Sequence, residues 1–341
     1  MATEHSYDYI VTPYPEYWAK KLHVAYPILW GLFSGALFCL QLGTLLLAGE
    51  RERLICSSVW PYVALSLLPA ILAITIVRFS KILEDFSPSL MSFVTWPKEK
   101  ALDWYSGQVR KIFDTRRMCI VGLCFICSLL YVTLNSPVLP SATAPRIVFL
   151  IIMLAIQFFG GGMLYVMWHI ARMIRELGQI DAIKISVYQH PMSSVKAVGV
   201  LMAKVAFTIV LIYLFGISYS MFCTPTKAVL ATNFIFGLIV LFFFIFPQME
   251  IHRLMVKVKH QRLIQFSGHL ENALQQVAEN PSGEAAQHVK ELFDIQNSLN
   301  EMGEWPFNTK MFMTIFTGIA VPLLAVLLQI ACQWIEKVVS P

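Results

Sequence analysis

The sequence predicts an all-α, polytopic membrane protein with about seven transmembrane helices and a helical bundle on the cytosolic side. Three observations predict it. The chain of 341 residues is 57% hydrophobic and 14% charged, its apolar residues gather into seven long runs, and its lysines and arginines gather between alternate runs. Soluble domains carry about 25% charged residues, so a mean hydropathy of +0.63 describes a chain whose main solvent is hydrocarbon.

The runs occupy 24–48, 60–79, 118–135, 146–171, 197–222, 228–249 and 311–335. A spanning helix needs about 20 mainly apolar residues to cross roughly 30 Å of hydrocarbon, and each run reaches or nearly reaches that length. The third is the shortest, bounded by Arg117 and Pro137. Trp18, Trp60, Trp168 and Trp334 stand near run ends, where the amphipathic indole favours the boundary between lipid and water. The first 23 residues carry Glu4, His5, Asp8, Glu16, Lys20 and Lys21 and lack the apolar core and cleavage site of a signal peptide. The first run is therefore expected to remain as a helix behind a cytosolic amino-terminal segment, 1–23.

Charge sets the orientation. With the amino terminus inside, two basic residues precede the first run, eight lie in 78–117, four in 172–196 and six in 253–310, making 20 on the cytosolic side. Outside lie 5, namely Arg51, Arg53, Arg146, Lys227 and Lys337, with Lys204 inside the fifth run. An excess of lysine and arginine marks cytosolic loops. The expected protein is thus multi-pass in the plasma (inner) membrane, with its amino terminus cytosolic and its carboxyl terminus outside. Its outer connections (49–59, 136–145 and 223–227) are short and its inner ones (80–117, 172–196 and 250–310) long. Three further parts follow: a six-helix membrane region over 24–249, a cytosolic helical hairpin over 250–310, and the seventh spanning helix over 311–335.

The inner loops read as partly helical. Within 98–114, Ala101, Leu102, Trp104, Tyr105, Val109, Ile112 and Phe113 recur at helical spacing, flanked by Lys98, Lys100, Arg110 and Lys111. Such a helix either lies on an anionic lipid surface or packs on other cytosolic helices. Beyond Pro247 a helical pattern runs unbroken from Ile251 through Leu254, Val258, Leu263, Phe266, Leu270 and Leu274 to Val277. "ENPSGE" then supplies a turn, and a second helix follows through Val289, Leu292, Phe293, Ile295, Leu299 and Met302 until Gly303 and Pro306. The sixth helix is expected to project into the cytosol and the chain to return as a shorter partner.

No enzymatic signature is present: the chain has no G-x-x-x-x-G-K-[ST], G-x-G-x-x-G, H-E-x-x-H or G-x-S-x-G. No catalysis, cofactor, metal or nucleic-acid partner is expected. His252, His260 and His269 share one predicted helix at gaps that suit a solvated face, and the seven cysteines show no ligand spacing. Cys119, Cys124 and Cys127 read as small apolar core residues of the third helix. Cys56 and Cys223 fall in outer loops, and a bridge between them is an alternative for an oxidising exterior. No Asp or Glu lies well inside a run, which disfavours a proton- or sodium-coupled transporter. Lys204 either snorkels to the inner interface or faces an aqueous vestibule. Gly160, Gly161 and Gly162 mark a close approach or a kink.

The seventh run carries a stripe. Thr314, Gly318, Pro322, Ala325, Gln329, Cys332 and Glu336 recur at steps of 3 and 4, Thr317 and Gln333 widen the stripe, and the other faces carry Met, Phe, Ile, Val and Leu. A small and polar stripe means close helix packing or a water-filled path. Gln329 and Gln333 lean towards the path, because amides in a dry seam need partners.

The layout resembles the insect odorant and gustatory receptor channels: amino terminus inside, seven helices, short outer loops, a long sixth helix and a short cytosolic helix before a mixed-polarity seventh. "AVLLQI" (325–330) is similar to the glutamine-containing ending of gustatory receptors, although the aromatic residue they favour within that helix is absent. "FPQMEIHRLMVKVK" (246–259) and "EWPFNTKMF" (304–312) are similar to segments of a bacterial group of seven-helix membrane proteins. These resemblances imply a prokaryotic, channel-like homo-oligomer, a tetramer by analogy. The expected function is an oligomeric ion channel or pore with the seventh helix as lining. Two alternatives stand: a membrane-embedded signalling or defence component docking a cytosolic protein, and a facilitator for a small or lipophilic molecule.

Overall fold

The computed structural model describes residues 12–49, 60–93, 96–134, 139–179, 193–222, 227–279 and 283–301, and from the last run 313, 316–318, 320, 321, 324, 327 and 328. Every described element is an α-helix: α1 (Tyr14–Lys21), α2 (Tyr26–Leu47), α3 (Trp60–Phe93), α4 (Lys98–Ile112), α5 (Thr115–Leu134), α6 (Thr143–Gln179), α7 (Ser193–Phe222), α8 (Lys227–Glu279) and α9 (Gly283–Asn300). The described residues of the last run are helical too. Four helical stretches, Tyr26–Leu47, Tyr62–Leu90, Thr143–Leu177 and Val198–Phe215, are long and apolar enough to cross a membrane, and α8 holds a shorter apolar stretch, Phe234–Phe243.

Local chemistry sets the ends of the first two helices. Pro15 and Pro27 start α1 and α2, positions where their fixed φ suits the helix and no donor is lost. Glu16 in the first turn of α1 and Lys20 and Lys21 in its last oppose the helix dipole. His23, with φ 55, turns the chain into α2, and Gly49, with φ 75, follows its end, as a C-terminal left-handed residue commonly does. Trp30 ties the pair together by donating its indole N–H to the Pro15 carbonyl at 3.3 Å.

The main core sits where α3, α6 and α7 meet. Ile76, Phe79, Leu83, Ile170, Ile174 and Val205 are among its buried residues, and a smaller cluster of Leu37, Leu65, Phe149 and Ile152 joins α2, α3 and α6. The helix beginning at Trp60 continues past its apolar run to Phe93, because Phe86 and Leu90 still find core to bury against. The connection expected over 80–117 thus starts with helix. In α6 the helix likewise continues to Gln179, burying Met173, Ile174 and Leu177.

Glycine allows α5 and α6 their contact. A Cβ on Gly122 would lie 2.8 Å from Phe158, and one on Gly161 would lie 2.8 Å from the Phe125 Cβ and 2.9 Å from the Gly122 Cα. Of the two readings of the glycine triplet, the structure has the close approach, and α6 remains one helix. Away from this seam α5 is open: Cys124 and Cys127 are exposed and Cys119 half-buried. This corrects the expectation of core cysteines, since α5 packs mainly on α6 and its far side faces no other described helix. Cys56 and Cys223 lie outside the described residues.

The amphipathic helix after Pro97 is packed. Ala101, Tyr105, Gln108, Val109 and Ile112 of α4 are buried, and α4 contacts α3 and α6. At the far end of the sequence, α8 runs unbroken for 53 residues and α9 folds back along it. Residues 280–282, between Glu279 and Gly283, where the sequence predicts a turn, lie outside the described ones. Met255 and Leu299 bury together with the main core, Leu270 and Ala273 are buried further along α8, and the Lys259 ammonium donates to the Asn300 carbonyl at 2.9 Å. A cation at a helix C-terminus satisfies a carbonyl that has no partner within the helix.

Candidate functional site

Of the stripe on the last run, Thr317 and Gly318 are described. Thr314, Pro322, Ala325, Gln329 and Gln333 lie outside the described residues, as does Trp334. Gly318 faces α7: a Cβ there would sit 3.1 Å from Val210 Cγ1. Met313, Phe316, Val321, Leu324, Leu327 and Leu328 are all exposed, and at 100° per residue they cover the arc that omits Gly318. The small-residue side of this helix therefore turns inward at Gly318 and its large apolar side outward. Thr317 is exposed, and its hydroxyl donates to the Met313 carbonyl one turn back.

Lys204 of α7 places its ammonium 3.7 Å from the Asp85 carboxylate of α3, with both side chains substantially exposed. An exposed pair of this kind contributes about 0–1 kcal/mol. It does satisfy a lysine that the sequence alone leaves unpartnered within an apolar run.

A cluster of polar side chains lies at the same end of the bundle, where α4, α5 and α8 each pack on α6. Arg172 donates through Nε to Glu176 Oε1 at 2.9 Å, and Gln108 of α4 donates to Glu176 Oε2 at 2.6 Å. One carboxylate thus joins two helices. Arg175 lies over the Phe246 ring of α8, 5.7 Å from its centroid, and Trp168 meets Phe243 edge-on at 6.3 Å. Between α6 and α8 these side chains border an open pocket of about 290 Å³, lined by Trp168, Ala171, Arg172, Arg175, Glu176, Gln179 and Phe246. Beneath it, Tyr165 donates to the Lys111 carbonyl at 2.8 Å and meets the His169 ring at a 60° tilt with centroids 4.3 Å apart; the His169 Nδ1 is buried without a partner among the described residues.

Tyr105 fastens α4 to α3 by donating its hydroxyl to the Leu83 carbonyl. Burial, reinforced by the negative charge of Glu84, pushes its phenol well above the ordinary range. Among the described residues no three metal-ligating side chains come together. His252 is half-buried, while His260 and His269 are exposed along α8.

The pocket was not legible as a site in the sequence. Trp168 registered as an interface marker, and Arg172 and Arg175 as positive charge. Their i, i+3 and i, i+4 spacing on one helix was available, but Phe246 lies more than seventy residues on. What fold and site define together is an all-helical protein on membrane-length apolar helices, with its polar and cationic chemistry at one end. No protein-family model, curated protein or solved structure matches the chain.

Proposed function

We propose that the chain is a seven-helix plasma-membrane protein, amino terminus in the cytosol, that self-associates and passes ions along a path bordered by its last helix. The observation that carries this reading is the stripe of the seventh run. It keeps helical phase for six turns on a helix whose described large apolar side chains all face outward. Thr314, Thr317, Gly318, Pro322, Ala325, Gln329 and Gln333 are the lining candidates, and the amides would form an uncharged ring suited to weak selectivity. The absence of enzymatic signatures from the sequence and the four membrane-length helices support a transport or anchoring role over catalysis. The α8–α9 hairpin is the proposed assembly element.

A second reading has a specific observation behind it. Gly318 lies against Val210 of α7, as a residue used for helix packing does. In that reading no ion moves, and the basic cytosolic face docks a soluble protein. Ion flux into liposomes separates the two, measured for wild type, Gln329→Leu and Gln329→Glu. A path predicts loss of flux in the first variant and a shift towards cations in the second, both at unchanged expression. Three proteins that behave alike establish packing, and a monomeric mass in lipid removes the shared path.

A further inference from the structure

We propose that the pocket between α6 and α8 binds an anionic phospholipid, with its phosphate on Arg172 and Arg175 and an acyl chain along Trp168 and Phe246. The argument begins with depth. From Arg146 to Trp168 the rise is about 33 Å, and from Lys227 to Phe246 about 29 Å, at 1.5 Å per residue. Both match a hydrocarbon core of roughly 30 Å. Two helices that cross in the same sense therefore bring these aromatic residues to one and the same boundary, and the pocket opens there.

Charge comes next. Glu176 is engaged by Arg172 Nε and by Gln108, so Arg172 and Glu176 balance in charge and the lining keeps a net charge of +1 through Arg175. Arg172 has five N–H donors and uses Nε alone; its terminal donors bond to no described residue. A guanidinium fork suits the oxygens of a phosphate. Arg175, one turn on, supplies the net positive charge, with its guanidinium carbon 5.7 Å from the Phe246 ring centroid. Trp168 is about half exposed and offers an indole flank at headgroup level. A pocket of about 290 Å³ lined by two guanidiniums, one carboxylate and two aromatic rings, with a net positive charge, fits an anionic amphiphile. A free phosphate would use only half of it.

The inference rests on the membrane reading above and is independent of ion conduction. The test is native mass spectrometry of the purified full chain, equilibrated in detergent with equal amounts of phosphatidylglycerol and phosphatidylcholine. Wild type is expected to retain phosphatidylglycerol over phosphatidylcholine by about tenfold, the scale of one charge-assisted contact. The ratio should fall towards one in the Arg172→Gln/Arg175→Gln protein and persist in Lys290→Gln, which removes one positive charge from α9. Phe246→Ala keeps both guanidiniums and should lose the advantage of long-chain over short-chain phosphatidylglycerol, so the proposal stays testable if the double variant does not fold. Inorganic phosphate and glycerol 3-phosphate at equal concentration should not displace the lipid; displacement would assign the pocket to a soluble phosphate compound and overturn the proposal. Equal retention of both lipids, or a preference that survives loss of both arginines, overturns it as well. A chain that stays in solution without detergent and retains neither lipid instead fails the membrane reading.

Discussion

The membrane-length bundle and the α8–α9 hairpin both turn apolar side chains outward, yet in the proposed topology the exposure has opposite meanings. Leu211, near the middle of α7, is 47% exposed, and Ile264 of α8 is 58% exposed. In hydrocarbon the first loses nothing, because lipid tails are as apolar as leucine. In water the second forgoes the roughly 1.5–3 kcal/mol that burying such a side chain contributes. Exposure alone therefore does not separate a lipid-facing residue from an interface; the solvent has to be known. The inward faces obey one rule in both regions, since Ile76 in the bundle and Leu299 in the hairpin are each almost fully buried.

Predictions that break or sharpen this contrast run from large effects to small. Leu299→Ala should destabilise by about 2–5 kcal/mol, the usual scale for truncating a buried leucine. It should do so by loosening α9 from α8, read as faster proteolysis of the hairpin with the bundle left intact. Simultaneous loss of both would show that the two regions are one cooperative unit.

The solvent contrast is tested directly by placing the same charge in each region. Leu211→Lys should lower insertion or melting by about 2.5–3.5 kcal/mol, the cost of lysine at the centre of a spanning helix. Ile264→Lys should stay within about 0.5 kcal/mol, as surface changes do, while reducing oligomer mass if the hairpin assembles subunits. Equal effects on stability would remove the membrane placement of α7.

Within the bundle, Gly161→Ala should cost about 1–3 kcal/mol, because the new methyl meets backbone and a Cβ that cannot swing away. Its neighbour Gly160, whose added Cβ would find ordinary contact at 3.7 Å from Phe125, should accept alanine with no loss. Melting of both variants in one detergent decides it, and equal melting shifts would place the α5–α6 seam elsewhere.

The smallest effect concerns the joint between the two solvents. Tyr105→Phe should cost about 0.5–1.5 kcal/mol by removing one hydrogen bond and leaving the Leu83 carbonyl without it. The phenol is held protonated in the folded protein, so its contribution is complete below the ordinary value near 10. It is lost as pH rises from there towards the higher folded value. Wild type should therefore lose stability above pH 10 more steeply than Tyr105→Phe, and parallel alkaline curves would show that Tyr105 is not the group responsible.

Much of the helical framework was legible, for reasons particular residues make plain. The apolar pattern from Ile251 to Val277 has no breaker, and α8 is continuous there; Pro281 and Gly283 punctuate it, and α8 ends at Glu279 with α9 beginning at Gly283. Other features were not legible. Nothing local distinguishes the exposed Cys124 from a core residue, because its exposure depends on how few helices reach α5. Gly122 and Gly161 are 39 positions apart in sequence, and their contact exists only once α5 lies on α6.

By itself the sequence determined the secondary structure and the solvent each stretch prefers, because helical period, breaker residues and hydropathy act within one or two turns. Tertiary structure decided which of two chemically permitted neighbours a side chain takes. It turned the amphipathic face of α4 onto α3 and α6, gave Lys204 to Asp85, set Gly318 against Val210, and joined Arg172 and Arg175 to Phe246 in one pocket. The physical reason is that an apolar face is satisfied equally by lipid, by another helix or by a second subunit. Shape and charge brought together from distant parts of the chain are what choose among them.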